Sequence, residues 1–155
     1  MRYYGADRLT IYFYGQTDLY AEFSNFALYG IEMDGIWWRT VEHYFQAQKF
    51  IDNAYRVRIS KASTPKDAKA LGRTRTLRIR DDWDTVRDQI MLVAVRKKFT
   101  THPDLKTLLL ATGEEPLAEA APGDYYWGIG ADGTGENKLG TILEQVRYEL
   151  RGNAV

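Results

Sequence analysis

The run Thr40-Val41-Glu42-His43-Tyr44-Phe45-Gln46-Ala47-Gln48-Lys49-Phe50 constrains this chain more than any other stretch. Thr40 stands as an N-cap, and the residues after it read as one helix. Glu42 and Lys49 are seven residues apart, about two turns, so they share a face, with Gln46 between them. A carboxylate, an amide and an amine then form one column beside Tyr44 and Phe45. Charges normally sit on a solvated helix face. Such a face would have no need of Trp37, Trp38, Tyr44, Phe45 and Phe50 so close by. The column reads as a compact polar site with aromatic walls.

Composition narrows the classes of function. A chain of 155 residues is long enough for one domain with a sizeable core. Lys plus Arg is 21 and Asp plus Glu is 21, so no global basic field draws the chain onto nucleic acid. A local basic groove stays open as an alternative. Without cysteine there is no disulfide framework, thiol nucleophile or cysteine zinc site. The two histidines, His43 and His102, are far apart in sequence, which argues against a catalytic zinc and against a resident metal. No apolar run nears the roughly 20 residues that span a bilayer, and the first residues lack a signal-peptide layout. The expectation is a soluble, cytoplasmic protein with no membrane partner and no cofactor.

Along the chain, Leu9 to Tyr14 is β-rich and reads as a strand. Phe23-Ser24-Asn25-Phe26 reads as a turn carrying two aromatic anchors. Leu28 to Met33 and Ile36 to Trp38 flank Asp34-Gly35, a two-residue hairpin signal. Thr64 caps and Pro65 opens a short helix that ends near Gly72. Arg73 to Arg80 alternates basic and other residues and reads as a strand carrying four arginines. Asp82 to Phe99 is a long helix with a broad apolar stripe through Val86, Ile90 and Val93. Thr101 and Pro103 open another helix through Leu110, and Glu114 to Ala121 reads as a helical turn. Asp124 to Gly135 is an aromatic and glycine loop. Asn137 to Leu150 closes the chain as a helix stopped by Gly152. The fold expected is a single α+β domain over residues 1–155, predominantly helical, with a small antiparallel sheet.

Beyond the Glu42 column, three features can carry chemistry. Trp83, at the start of the long helix, is either a core anchor or a stacking wall for a heterocycle. Asp124 stands ahead of Trp127-Gly128, exposed enough to act on a ligand or placed to cap a turn. The run Gly128-Ile129-Gly130-Ala131-Asp132-Gly133 matches G-x-G-x-x-G in letters, but too little chain follows it for a βαβ nucleotide unit. It leads into the helix near Asn137, whose open N–H groups can hold a phosphate. Arg73, Arg75, Arg78 and Arg80 are the other phosphate candidates, although most of them are expected to blunt a solvated strand edge.

Phe23-Ser24-Asn25-Phe26, the segment Trp38 to Phe50, Ala70-Leu71-Gly72-Arg73, Asp82-Trp83 with Arg87 and Met91, Lys98-Phe99, and Trp127-Gly128 with Gly130, Gly135, Asn137, Leu139 and Gly140 occur in one order. Together they resemble the YbiA-like, or NADAR, family of N-glycosidases over nearly the whole chain, from about Ile11 to Leu150. Arg39 departs from the pattern by standing where the family commonly has proline.

The resemblance implies hydrolysis of an N-ribosyl bond. One branch of the family cleaves phosphorylated ribosylamino-pyrimidine intermediates of riboflavin biosynthesis and releases ribose 5-phosphate. Another removes ADP-ribose from guanine. On the first, the functional glutamate, tryptophan and aspartate correspond to Glu42, Trp83 and Asp124. On the second, a Schiff-base lysine corresponds to Lys49. Asn25, Phe26, Gln46, Arg73, Trp127, Gly128 and Asn137 are then expected to bind substrate. The partner implied is a phosphorylated ribosyl small molecule or an ADP-ribosylated guanine. The alternative is a module that binds ADP-ribose or a nucleotide without cleaving it. The chemistry suits an enzyme, because a fixed carboxylate stabilises the positive charge that grows at an anomeric carbon and can take a proton from water.

Overall fold

The computed structural model describes residues 9–15 and 19–152. Its elements are β1 (Ile11–Phe13), a 3-10 turn (Ala21–Phe23), β2 (Ile31–Met33), β3 (Ile36–Trp38), α1 (Val41–Gln48), α2 (Asn53–Ser60), α3 (Pro65–Gly72), α4 (Trp83–Thr101), α5 (Pro103–Ala111), β4 (Leu117–Glu119) and α6 (Lys138–Leu150). The protein is α+β and predominantly helical, with two two-stranded sheets. Among the described residues no helix is long and apolar enough to cross a membrane. The chain divides into two compact units, residues 25–102 and residues 1–24 with 103–155.

In the 25–102 unit, α1 packs against α2, α3 and α4. Every side chain from Val41 to Ala47 is buried. Its start follows from Thr40, which is extended (φ −145°) and accepts the His43 N–H on Oγ1 at 3.1 Å. The His43 ring, wholly buried, extends that cap. Nε2 lies 3.0 Å from the Ala62 carbonyl, which only accepts, so Nε2 carries the proton. Nδ1 is therefore an acceptor and takes the Thr40 hydroxyl at 2.7 Å. Burial holds His43 below the ordinary pKa of 6.5, in keeping with this neutral form. Arg39 donates to the same Ala62 carbonyl at 3.1 Å, so the arginine ties the approach to α1 down by a bond that a proline could not make.

The hairpin forms as Asp34-Gly35 requires. Both residues have positive φ, 54° and 80°, the two-residue turn that pairs β2 antiparallel with β3. Trp38 of β3 is buried edge-on to Tyr44 of α1, with ring centroids 5.6 Å apart. Thr64 accepts the Asp67 N–H to cap α3.

Three local expectations give way. First, α2 lies where no helix was expected. Tyr55, Val57 and Ile59 alternate with Arg56 and Arg58 at period two, like a strand, but Asp52 accepts the Tyr55 N–H at 2.9 Å and starts a helix whose one fully buried residue is Ile59. Second, Arg73 to Arg80 is no strand. Only Ile79 pairs, in a single bridge to Phe50, while the Thr74 hydroxyl takes the Thr76 N–H and Arg78 and Arg80 bind Asp81 and Asp82 nearby.

Third, in the other unit, Glu114 to Ala121 holds a strand and not a helical turn. β4 pairs parallel with β1, Ile11 opposite Leu117 and Phe13 opposite Glu119. The Asn137 side chain acts as a further strand partner. Its Nδ2 donates to the Leu117 carbonyl and its Oδ1 accepts the Glu119 N–H, at 2.9 and 3.0 Å. α6 packs on β4, and α5 on α6. Buried Arg147 of α6 binds the Thr112 hydroxyl and the Glu115 carbonyl, at 2.9 and 2.8 Å, fixing the link from α5 to β4.

The Thr40–His43 pair makes a testable point. Thr40→Val keeps the shape but removes the cap and leaves a buried ring nitrogen without a donor. The unfolding free energy should fall by about 2–3 kcal/mol, read as a lower urea midpoint at unchanged slope. An unchanged midpoint would mean that the cap contributes nothing.

Candidate active site

The first turn of α1 carries Glu42, which is 7 % exposed. One turn on, Gln46 donates Nε2 to Glu42 Oε1 at 2.7 Å. This is the i,i+4 neighbour relation expected of two residues on one helix face. Lys49 follows as the C-cap with helical φ and ψ, so the column continues to it. Its backbone carbonyl accepts the Arg80 N–H at 2.8 Å, which closes the segment from α3 over the end of α1. Glu42, Gln46 and Lys49 are therefore brought together as the sequence spacing implied.

The amine of Lys49 is shifted by its surroundings. Burial comes first and pushes its pKa below the ordinary 10.5; Glu42 opposes this, and Arg73 and Lys69 push further down. Lys69 and Arg73 lie one turn apart at the end of α3, so three cations share the field of one buried carboxylate. Lys69 was not singled out from sequence, although its spacing of four from Arg73 on a capped helix was a usable signal. It is half-buried, and its Nζ sits 5.9 Å from the centre of the Phe26 ring. Arg73 is exposed and, among the described residues, makes no ion pair.

Asn25 and Trp83 complete this unit's share of the expected residues. The Asn25 carbonyl accepts the Glu42 N–H at 3.1 Å, and its side-chain Nδ2 lies 3.4 Å from Met91 Sδ. Its Oδ1 is buried without a partner among the described residues. Trp83 is buried, 8 % exposed, with its ring 5.0 Å from that of Phe45, the neighbour of Gln46. An open groove of about 930 Å3 between α2 and α3, lined in part by Tyr55, Arg58, Lys61 and Thr74, does not include Glu42. It lacks the buried, convergent polar groups that mark a reaction site.

Asp124, Trp127, Gly128 and Asn137 belong to the other unit. Asp124 caps the turn it opens, because Oδ1 accepts the N–H groups of Tyr126 and Trp127 at 3.0 and 2.8 Å. Trp127 is half-buried and edge-on to Tyr126. Gly128 is packed so closely that an added Cβ would lie 2.8 Å from the Glu119 carbonyl. The expectation that α6 offers open N–H groups to a phosphate fails here. The N–H groups of Glu136, Asn137, Lys138 and Leu139 donate to the carbonyls of Tyr125, Gly128, Tyr126 and Trp127. Carbonyls of the preceding loop thus take the N–H groups that lead into α6 as far as Leu139, and the amide of Asn137 is committed to β4. Among the described residues no group of three or more His, Asp or Glu side chains is gathered to hold a metal ion.

Comparison with known proteins gives a consistent result. The NADAR domain family matches residues 12–151. A Nostoc punctiforme protein named an N-glycosidase is 50% identical over 146 residues, covering 92% of this chain and 94% of its own. The Escherichia coli N-glycosidase YbiA is 46% identical over 140 residues, covering 90% of this chain and 88% of its own. The solution structure of E. coli YbiA superposes with a TM-score of 0.85, covering 92% of this chain and 84% of that one. The maize riboflavin biosynthesis protein PYRR is 40% identical over 157 residues, and the match spans 92% of this chain but 25% of that much longer protein.

The Lys49 environment sets a measurable order of titration. Lys49 should titrate below the ordinary 10.5. Lys69→Gln removes a like charge and should raise its pKa, whereas Glu42→Gln removes the opposing charge and should lower it further. The pH dependence of Lys49 labelling by an amine reagent, read by peptide mass spectrometry, reports both signs. A Lys49 that titrates as an exposed lysine in all three proteins would contradict the arrangement.

Proposed function

This chain belongs to the NADAR domain family, and from that premise and the Glu42 column we propose that it is an N-glycosidase hydrolysing the N-ribosyl bond of phosphorylated ribosylamino-pyrimidines, with release of ribose 5-phosphate. The observation that carries the proposal is the buried Glu42 carboxylate, held by Gln46 and sharing its helix face with Lys49. The names of the E. coli and maize relatives support the bond type and the link to riboflavin chemistry.

The chemistry follows from charge. When the C1–N bond breaks, its electron pair leaves with the base and positive charge spreads over the anomeric carbon and ring oxygen. Glu42 stabilises that charge and accepts a proton from the attacking water, while the departing amine takes up a proton. A ribosylamine also opens to an imine. Lys49, its pKa lowered by burial, would exchange into that imine, expel the base amine and be released by water. Trp83 and Phe45 offer an aromatic surface on which the departing base can stack. Lys69 and Arg73 are the cations proposed for the phosphate, because the N–H groups of Glu136 to Leu139 at the start of α6 are taken by carbonyls of the preceding loop.

Four experiments test this reading. Purified protein is incubated separately with a phosphorylated ribosylamino-pyrimidine and with an ADP-ribosylated guanine, and products are identified by mass spectrometry. Ribose 5-phosphate from the first is the result expected; free ADP-ribose from the second alone moves the assignment to the other branch, and no product from either marks a binding module. Glu42→Gln should lower kcat by about a hundredfold or more while the fold is kept. Borohydride added during turnover should leave a mass adduct on Lys49 only if the imine route operates. For the phosphate, Arg73→Ala should raise KM about tenfold on the phosphorylated substrate, near 1.4 kcal/mol, and change little on a dephosphorylated analogue. Equal losses on both would remove Arg73 from the site.

A further inference from the structure

Gly72 closes α3, and its backbone gives no conformational reason for a glycine, since it is absent from the residues with positive φ. Alanine would suit a helical position better, by about 1 kcal/mol of intrinsic propensity. The reason is space. A Cβ built on Gly72 would fall on the Gln46 side chain, clashing with Oε1 and lying 2.7 Å from Cδ and 3.1 Å from Cβ. The Gln46 amide therefore lies flat against the bare Cα of Gly72.

That placement dictates which end of the amide meets Glu42. A carboxylate only accepts, so the nitrogen faces Glu42, at 2.7 Å, and the oxygen faces Gly72. The oxygen is buried there with no hydrogen-bond partner among the described residues. An orphaned buried acceptor costs about 1–3 kcal/mol, and keeping it makes sense only if the other end of the amide is worth aiming.

We propose that Gly72 is a positioning residue for the reaction: its missing side chain is the slot that seats the Gln46 amide, and the seated amide orients the Glu42 carboxylate toward the reacting bond. The proposal rests on Glu42 being the reaction carboxylate. It adds that the glycine on a neighbouring helix controls that carboxylate through one intermediate residue and makes no contact with substrate itself.

The test is a double-mutant cycle on kcat and KM with Gly72→Ala, Gln46→Ala and both together, alongside Glu42→Gln. Gly72→Ala and Gln46→Ala should each lower kcat about tenfold or more with KM within about twofold, and the double variant should match Gln46→Ala, because the slot is no longer needed once the amide is gone. Loss of kcat in Gly72→Ala that is equally large on the Gln46→Ala background overturns the proposal, as does a Gly72→Ala protein of full activity. Should Gly72→Ala fail to fold, the double variant must recover the melting temperature of Gln46→Ala; failure to recover it also overturns the proposal. Glu42→Gln separates the two claims. If it stays active, the reading of the site fails; if it is inactive while the cycle is additive, the positioning role alone fails.

Discussion

Seven successive residues of α1 are buried, and three of them, Glu42, His43 and Gln46, carry polar side chains. Burying such groups without partners would cost several kcal/mol each, so the surroundings of α1 consist largely of answers to them. Thr40 and the Ala62 carbonyl occupy both nitrogens of His43. Gln46 answers Glu42, and Gly72 makes room for Gln46. The Asn25 carbonyl takes the Glu42 N–H. What stays unanswered is as informative. The side-chain oxygens of Asn25 and Gln46 are buried without partners among the described residues, and both belong to residues bonded directly to Glu42. Two such acceptors on residues bonded to Glu42 each call for an explanation, and a bound ligand would supply one.

Electrostatics follows the same pattern. Three cations, Lys49, Lys69 and Arg73, stand against the single carboxylate of Glu42, and the half-buried Lys49 amine is held below its ordinary pKa first by burial and then by Arg73 and Lys69, with Glu42 opposing. A dianionic phosphate ester would relieve that imbalance when bound. Elsewhere the arginines behave differently. Arg78 and Arg80 are paired with Asp81 and Asp82 close to the surface, where such pairs contribute little. Of the basic run, Arg73 acts on Lys49, whereas Arg78 and Arg80 are tied to neighbouring aspartates.

Signals that act within a few residues were legible. Thr40, Thr64 and Asp34-Gly35 each dictate their own local geometry, so α1, α3 and the hairpin lie where the sequence put them. The Glu42–Gln46–Lys49 column was legible for the same reason, since it depends only on the helical repeat. Structure that depends on distant partners was not. β4 is a strand because Ile11 to Phe13 and the amide of Asn137 pair with it, and no local residue announces that. In α2 the local signals conflict, the period-two pattern against the Asp52 cap. The Gly128–Gly135 loop looked like an anion cradle because its glycines and the helix beyond are visible in sequence, whereas the folding of the carbonyls of residues 125–128 onto the start of that helix is not. Gly72 read as a helix stop, and only the seat of Gln46 shows it to be a slot.

The role of Glu42 depends on where the reacting bond sits. A crystal structure with an unreactive phosphorylated ribosylamine analogue measures this directly. The expected result is a water about 3–3.5 Å from the anomeric carbon, a near-attack distance, hydrogen-bonded to a Glu42 carboxylate oxygen, with the Gln46 amide still donating to Glu42. An analogue bound with its anomeric carbon out of reach of Glu42, while Glu42 remains packed against protein atoms alone, would contradict it.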